Sequence, residues 1–384
     1  MSIQIIKNQI YLYNMKILLL ESFYGVSHKQ WADGFIANSS HQVDLLYMPG
    51  RHWKWRMEHS AIHFANEIIA IEQQYDLILS TSFTNIASLR GLLIAKGDRS
   101  AWYNNVPINV FFHENQITYP WSENDPDIVL KRDNHYGWIN YLSCLAADRI
   151  IFNSSFHKEN FLGILPSFLG QFPDETPAKE IERVRSKSFV LPIGVNMNNL
   201  LKLEQSKNII PVILWNHRWE YDKNPKDFFE ALFQLNEDGV KFEVIVAGQK
   251  YKRSPKIFEE ARSKLGQKII HFGYAKSRTE YLQLLVKADI MPVTSNQDFF
   301  GISAVEGIAS GCYPILPDRL AFPEHLDRAK YDDCYFSNTK EFGNKIRSAI
   351  NSHPNDTEII RTQVEKYNWP NQITAYDDFF KIQL

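Results

Sequence analysis

Eleven short, continuously apolar runs, separated by helical stretches, limit what this chain can fold into. In the first half they are KILLL (16–20), VDLLYM (43–48), DLILS (76–80), NVFFH (109–113), RIIFN (149–153) and FVLPI (189–193). The second half repeats the scheme with VILWNH (212–217), FEVIVAG (242–248), KIIHFG (268–273), IMPVT (290–294) and CYPIL (312–316). Strands without polar alternation are covered on both faces, and strands separated by helices (Ser27–Ala37, Glu58–Glu72, Tyr136–Ala147) pair in parallel. The pattern predicts an α/β protein built of two doubly wound, Rossmann-like domains facing one another. The first spans 15–192 and the second 209–367. A linker over 193–208 lies within the polar PIGVNMNNLLKLEQSKN. The Pro-rich ILPSFLGQFPDETPAKE (164–180) reads as a surface excursion, and residues 1–14 as a dispensable extension ahead of the first strand.

Several function classes drop out. A formal net charge of −2 over 384 residues gives no global basic field for nucleic acid, although a local basic surface would serve. Cys144, Cys312 and Cys334 are far apart and form no C-x-x-C pair, which fits a reducing cytoplasm. No apolar run approaches the roughly 20 residues of a membrane span, and the N-terminus lacks a signal-peptide core. P-loop, dinucleotide-fingerprint and nucleophile-elbow motifs do not occur. Asp125-Pro126-Asp127 sits in a polar loop rather than at a strand end, so its Asp-x-Asp spacing reads as chance. His113-Glu114 does not open an H-E-x-x-H site, because Ile117 occupies the last position.

Ligands of open parallel sheets bind beyond the carboxyl ends of the strands, and the residues there are unusual. Arg218 and Lys223 follow VILWNH. Either they straddle a dianion, or they belong to a solvated loop neutralised by Glu220 and Asp222. After IMPVT comes QDFFGISAVEG (297–307), where Asp298 and Glu306 flank a Phe299-Phe300-Gly301 turn. A helix starting near Gly301 would aim the free amides of Ile302 and Ser303 into the cleft. Asp298 either receives ligand hydroxyls or caps that helix. Glu306, on an apolar helix, needs a partner from outside its own segment, whether a ligand, solvent or a distant Lys. His113 closes a buried strand, as a structural residue or as part of the cleft. Gly25 lies between strand and helix where the backbone must pass close to something, with His28 and Lys29 on the next turn. Cations and amides for a diphosphate, and carboxylates for hydroxyls, describe a nucleotide-sugar. The Asp298/Glu306 pair read as glycosidase carboxylates would leave Arg218 and Lys223 unexplained.

These spacings resemble retaining GT-B glycosyltransferases of family four, with Asp298 standing where the Glu-x7-Glu hallmark has its first Glu. The chain is more similar still to the tRNA-queuosine mannosyltransferase subgroup. The shared stretches are ESFYGVSHKQ, HWKWR, FHENQITYP, YLSCLAADRIIFNS, HRWEYDKNP and DFFGISAVEGIASGCYP, between Glu21 and Pro314. Relatives there usually show Gly-Gly in place of Gly25-Val26. The resemblance implies that Arg218 and Lys223 hold the diphosphate and stabilise it as it leaves. It implies that Glu306 binds the ribose, that Asp298 and the Phe299–Gly301 amides position the sugar, and that His113 touches the sugar near the reacting carbon. It places His28, Lys29, Glu114 and Asn115 on the acceptor side, and a terminal helix over 368–384 back on the first domain. It further implies GDP-mannose as donor, queuosine in the tRNA anticodon loop as acceptor, and no metal; no obligate protein partner is evident in the sequence.

For an RNA acceptor the residues themselves offer PGRHWKWRMEH (49–59). Arg51, Lys54 and Arg56 could meet phosphates while Trp53 and Trp55 stack on bases. Alternatively the tryptophans pack into the domain and the cations face water. Besides transfer to tRNA, two functions stay open: the same chemistry with a lipid or glycan acceptor, and nucleotide or RNA binding without catalysis.

Overall fold

The computed structural model describes residues 14–381 apart from 122–124, 126, 128–129, 131–133, 175–176, 203–207, 252–253, 353 and 355. The proposed extension, residues 1–14, therefore lies outside the described residues but for its last position. Two six-stranded sheets form, and every strand pairing within each is parallel. The first contains β1 (Lys16–Tyr24), β2 (Gln42–Pro49), β3 (Leu77–Thr81), β4 (Ile108–Phe112), β5 (Arg149–Phe152) and β6 (Ser188–Val190) in the order β2-β1-β3-β4-β5-β6. The second contains β7 (Val212–Trp215), β8 (Glu243–Ala247), β9 (Ile269–Gly273), β10 (Ile290–Pro292), β11 (Tyr313–Pro317) and β12 (Tyr335–Phe336) in the order β12-β11-β10-β7-β8-β9. The order reverses between β1 and β3, and between β10 and β7. These are the switch points where such sheets open a crevice.

Helices α1 (Val26–Asn38), α2 (Trp53–Ala70), α3 (Ile86–Lys96), α4 (His135–Ala146), α5 (Ser155–Leu169) and α6 (Ala178–Ser186) accompany the first sheet. The second has α7 (Pro225–Glu237), α8 (Ile257–Leu265), α9 (Arg278–Lys287), α10 (Ile302–Ala309), α11 (Thr339–Ser352) and α12 (Thr357–Thr362). The 164–180 excursion is less of a loop than its prolines suggested. Helix α5 carries Pro166 near its end, where the lost amide bond costs little continuity, and α6 starts at Ala178.

A terminal helix, α13 (Trp369–Lys381), lies on α1. Trp31 Nε1 donates to the Tyr376 hydroxyl at 3.1 Å, and Phe35 packs on Trp369, Tyr376 and Phe380. A methyl on Gly34 would sit 1.9 Å from Trp369 Nε1, so only glycine admits the indole there. Residues 193–200 are not a free tether either. Ile193, Val195, Met197 and Leu200 are buried, and Val195 exchanges backbone bonds with Tyr367 (2.7 Å) and Trp369 (3.1 Å). One apolar cluster consequently runs from the first sheet through this segment and α13 into the second.

Candidate active site

At the second sheet's switch point, one of the two cations after β7, Lys223, meets the acid after β10. Lys223 Nζ lies 3.0 Å from Asp298 Oδ1, 3.2 Å from Asp222 Oδ2 and 2.7 Å from the Gln297 carbonyl. Burial opposes its charge, but Asp298 and Asp222 outweigh it and raise the lysine pKa. Arg218 Nη1 pairs with Glu220 at 2.8 Å, while Nη2 is 3.8 Å from Asp222 and 3.4 Å from the Tyr119 hydroxyl. Its side chain stays 47 % exposed. Glu220 and Asp222 do pair with these cations, and the loop is solvated only in part: Arg218 and Tyr221 are exposed while Asp222 and Lys223 are buried. Asp222 is a member of the site that spacing missed. Burial works against its ionisation, but Lys223 and Arg218 prevail and lower its pKa.

Gly301 caps α10 with φ +83°, and a methyl there would come within 2.8 Å of the Phe322 ring. The first amides of α10, at Ile302 and Ser303, have no carbonyl one turn back. Asn216 Nδ2 donates to the Ser303 carbonyl (2.8 Å), and Ser303 Oγ lies 2.9 Å from His217 Nδ1. The Phe299 and Phe300 rings face inward. Phe299 stacks on His157 at 4.0 Å and its carbonyl accepts from Ser154 Oγ (2.6 Å), while Phe300 packs on His325 and Tyr367. Only the backbone of this turn can meet a ligand. Asp298 Oδ2, Asp222 Oδ1, Asn216 Oδ1 and His217 Nε2 are buried without a hydrogen-bond partner among the described residues. A concentration of unpaired polar atoms in one cleft is a place for a polar ligand.

Glu306 does find partners outside its own segment. Arg278 Nη2 donates to Oε1 at 2.6 Å and the Tyr281 hydroxyl to Oε2 at 2.9 Å, both from α9. Neither residue carried a motif signal. A carboxylate has about four acceptor positions, so two remain for ligand hydroxyls.

Across the cleft, at the β1/β3 switch point, a buried polar cluster forms around Glu21. Its Oε1 accepts from the Phe23 amide (2.8 Å) and Thr81 Oγ1 (3.0 Å), and lies 3.2 Å from His28 Nδ1. Oε2 is 3.9 Å from His113 Nε2, and neither atom has another partner among the described residues. The His28 and His113 rings are 4.1 Å apart. Burial opposes a proton on His28, but Glu21 outweighs it and raises the pKa. Burial, with His28 beside it, pushes His113 well below its ordinary value. Glu21, His28 and His113 are also a set whose ligating atoms lie within 4.8 Å of one another, so they could hold a cation. Glu114 bonds Gln116 Nε2 (2.9 Å), and burial raises its pKa against the pull of His28 and Arg218, which places it between the two lobes. Asn115 is spent locally, its Oδ1 receiving the amides of Ile117 and Thr118. What passes close to Gly25 is the chain itself, since a methyl on Gly50 would meet Gly25 Cα at 2.4 Å.

The basic aromatic stretch opens α2 instead of forming a loop. Arg56 is buried and donates to the Pro49 carbonyl at 3.1 Å, so it cannot meet a phosphate. Lys54 is held by Asp125 (2.5 Å) and Asp127 among the Trp121 and Tyr136 rings. The two aspartates thus neutralise a lysine. Trp53 stacks on Phe83 and meets Tyr136 edge-on. Trp55 remains 56 % exposed beside His59, and Arg51 is exposed. Lys29 is on the surface, paired with Asp33.

The two lobes touch through Tyr119, which donates to Asp222 Oδ2 at 3.1 Å, and through Tyr221, whose hydroxyl donates to the Pro120 carbonyl at 2.7 Å. Glu324 accepts the Ser155 and Phe156 amides at the start of α5.

Two facing doubly wound domains with a cationic clasp at the cleft define a GT-B glycosyltransferase. Solved structures share the architecture at low identity. The N-terminal domain of Candida albicans trehalose-6-phosphate phosphatase matches with a TM-score of 0.67 at 15% identity, over 97% of this chain and 96% of that one. Sucrose-phosphate synthase from Thermosynechococcus elongatus matches with 0.64 at 14%, over 96% and 99%. Residues 16–195 match the family model described as tRNA-queuosine alpha-mannosyltransferase N-terminal, and 202–366 match glycosyl transferases group 1. The tRNA-queuosine alpha-mannosyltransferase of Drosophila melanogaster is 37% identical over 341 residues, covering 86% of this chain and 87% of that protein. The chain belongs to the tRNA-queuosine alpha-mannosyltransferase family of glycosyltransferases.

Proposed function

We propose that the protein transfers mannose from GDP-mannose, with retention of configuration, to queuosine in the anticodon loop of tRNA. The observation that carries this reading is the 37% identity to the Drosophila melanogaster tRNA-queuosine alpha-mannosyltransferase over most of both chains. The first domain (15–192, with the terminal helix α13) takes the acceptor and the second (209–367) the donor, across the segment 193–208. The diphosphate lies against Arg218, Lys223 and the Ile302 and Ser303 amides. Glu306 receives the ribose hydroxyls through its two spare acceptor positions. Asp298 and the Phe299–Gly301 backbone hold the sugar, and His113 faces it from the first domain.

The acceptor hydroxyl attacks the anomeric carbon on the face that the diphosphate leaves. The new carbon–oxygen bond forms as the carbon–phosphate-oxygen bond breaks, and the departing phosphate takes the hydroxyl proton. Arg218 and Lys223 stabilise the charge that builds on the diphosphate, a kind of electrostatic help worth about 10²–10³ in rate per donor group. The mechanism calls for no metal and no obligate protein partner. No described helix is long and apolar enough to cross a membrane, and the proposed reaction on tRNA is assigned to the cytoplasm.

Purified protein, GDP-mannose and queuosine-containing tRNA should yield hexosyl-queuosine on nucleoside mass spectrometry. Unmodified queuosine after GDP release would move the acceptor assignment elsewhere. Neither product nor GDP release would leave a binding protein.

A further inference from the structure

We propose that Arg278 reads the nucleobase of the donor, selecting guanine through its O6 and N7 acceptors. The proposal rests on the donor reading above and adds to it the residue that chooses the nucleotide.

Arg278 is the first residue of α9, just past the carboxyl end of β9. One of its terminal nitrogens is fixed to Glu306 Oε1 at 2.6 Å, and its guanidinium lies over the Tyr281 ring at 5.2 Å. Tyr281 is itself held, donating to Glu306 Oε2 and receiving Asn216 Nδ2 at 3.3 Å. The guanidinium is therefore oriented from behind by a buried carboxylate. Its remaining donors have no hydrogen-bond partner among the described residues, and the side chain is 40 % exposed. An arginine that only neutralised Glu306 would not need a free edge. A planar fork held in this way presents two parallel donors, and guanine O6 and N7 are the matching acceptor pair.

The position fits the dimensions of a nucleotide. The anion site is at the start of α10, and Glu306 lies five residues along it from Gly301, about 7 Å down the axis. Phosphate at one end and ribose at the other carry the base beyond Glu306. Arg278 reaches Glu306 from the β9 side, the edge of the sheet away from the β10/β7 switch point. On the same rim Tyr274, in the turn between β9 and α9, is 61 % exposed, and an exposed ring offers a base a stacking face. Tyr251, past the end of β8, is within electrostatic reach of both Arg218 and Tyr274, which ties this rim to the phosphate clasp.

Adenine shows a donor where guanine has O6, and uracil has no adjacent acceptor pair, so both should be discriminated against by about tenfold to a hundredfold. Hypoxanthine keeps O6 and N7 and should not be. The test is calorimetric binding of GDP, IDP, ADP and UDP to the full chain, in wild type, Arg278→Ala and Arg278→Lys, with melting temperatures alongside. Wild type should bind GDP and IDP alike and prefer both to ADP and UDP. Arg278→Ala should lose that preference, with GDP affinity falling further than UDP affinity. Arg278→Lys keeps a cation beside Glu306, so it should melt like wild type and still lose the preference. The proposal is overturned if the variants keep the guanine preference, if UDP weakens as much as GDP, or if IDP binds far more weakly than GDP. Binding of no nucleoside diphosphate by wild type would instead sink the donor reading, and this proposal with it.

Discussion

Arg218 and Lys223 are five residues apart and chemically alike on paper, but burial separates their consequences. Lys223 is enclosed between the buried Asp222 and the part-buried Asp298, and its removal takes the nearest cation from both carboxylates. Lys223→Ala should lower stability by about 3–5 kcal/mol in chemical denaturation, as well as abolish transfer. Arg218 is half exposed and its partner Glu220 can turn to water, so Arg218→Ala should melt within a few degrees of wild type. Its turnover should fall by about 10²–10³-fold; unchanged turnover would remove it from the leaving-group role. A similar contrast holds for the two tryptophans that the sequence treated as equals. Trp55 is open to solvent, and Trp55→Ala should weaken use of tRNA by about 1–3 kcal/mol at constant melting temperature, the cost of one lost base stack. Trp53 packs on Phe83 and Tyr136, so Trp53→Ala should lower the melting temperature instead. If Trp55→Ala leaves RNA use intact, the start of α2 is not an RNA surface.

At the scale of elements, α13 couples the ends of the chain to its beginning. It sits on α1 through an indole that fits only over a glycine. Gly34→Ala forces the two helices apart and should cost about 1–3 kcal/mol by thermal or chemical melting. A melting temperature like that of wild type would show that α13 adjusts without strain. Strands and their parallel pairing were legible because a continuous apolar run has one comfortable environment, a sheet covered on both faces. Two elements were less so. The two-residue β12 is too short to register as a pattern, and α2 begins at Trp53 rather than at Glu58 because aromatic and basic residues there pack on the domain from within a helix.

On the scale of the whole molecule, buried histidines in the second lobe hold the fold in a form that prefers neutral pH. Burial holds His217 and His325 down to about 4, against about 6.5 in an unfolded chain. His325 fixes the Phe300 carbonyl at 2.7 Å, and His217 sits beside Ser303. Below pH 6.5 the unfolded chain takes up protons that the fold refuses. Stability should therefore fall as pH drops from about 6.5 to 4, by about 3 kcal/mol for each histidine, and be level above 7 on their account. Denaturation midpoints at pH 7.5 and 4.5 check this; equal midpoints would mean that these histidines are charged in the fold. His28 acts with the opposite sign. Its raised pKa contributes stability below 6.5 that is lost as pH climbs through the raised value.

By itself, the order of residues determined the class of fold, the two switch-point loops and the acids and cations carried there. Those follow from periodicity and from which residue types sit at strand ends, both of which are local. Only the tertiary structure decided who pairs with whom. It set Lys54 and Arg56 to structural work, left Trp55 and Arg218 open, and brought Glu21, Asp222, Tyr119 and Arg278 into the site. The physical reason is that a side chain's charge and availability depend on burial and on partners far away in sequence. Arg278 meets Glu306 across 28 residues and Tyr119 meets Asp222 across 103, separations that no local pattern records.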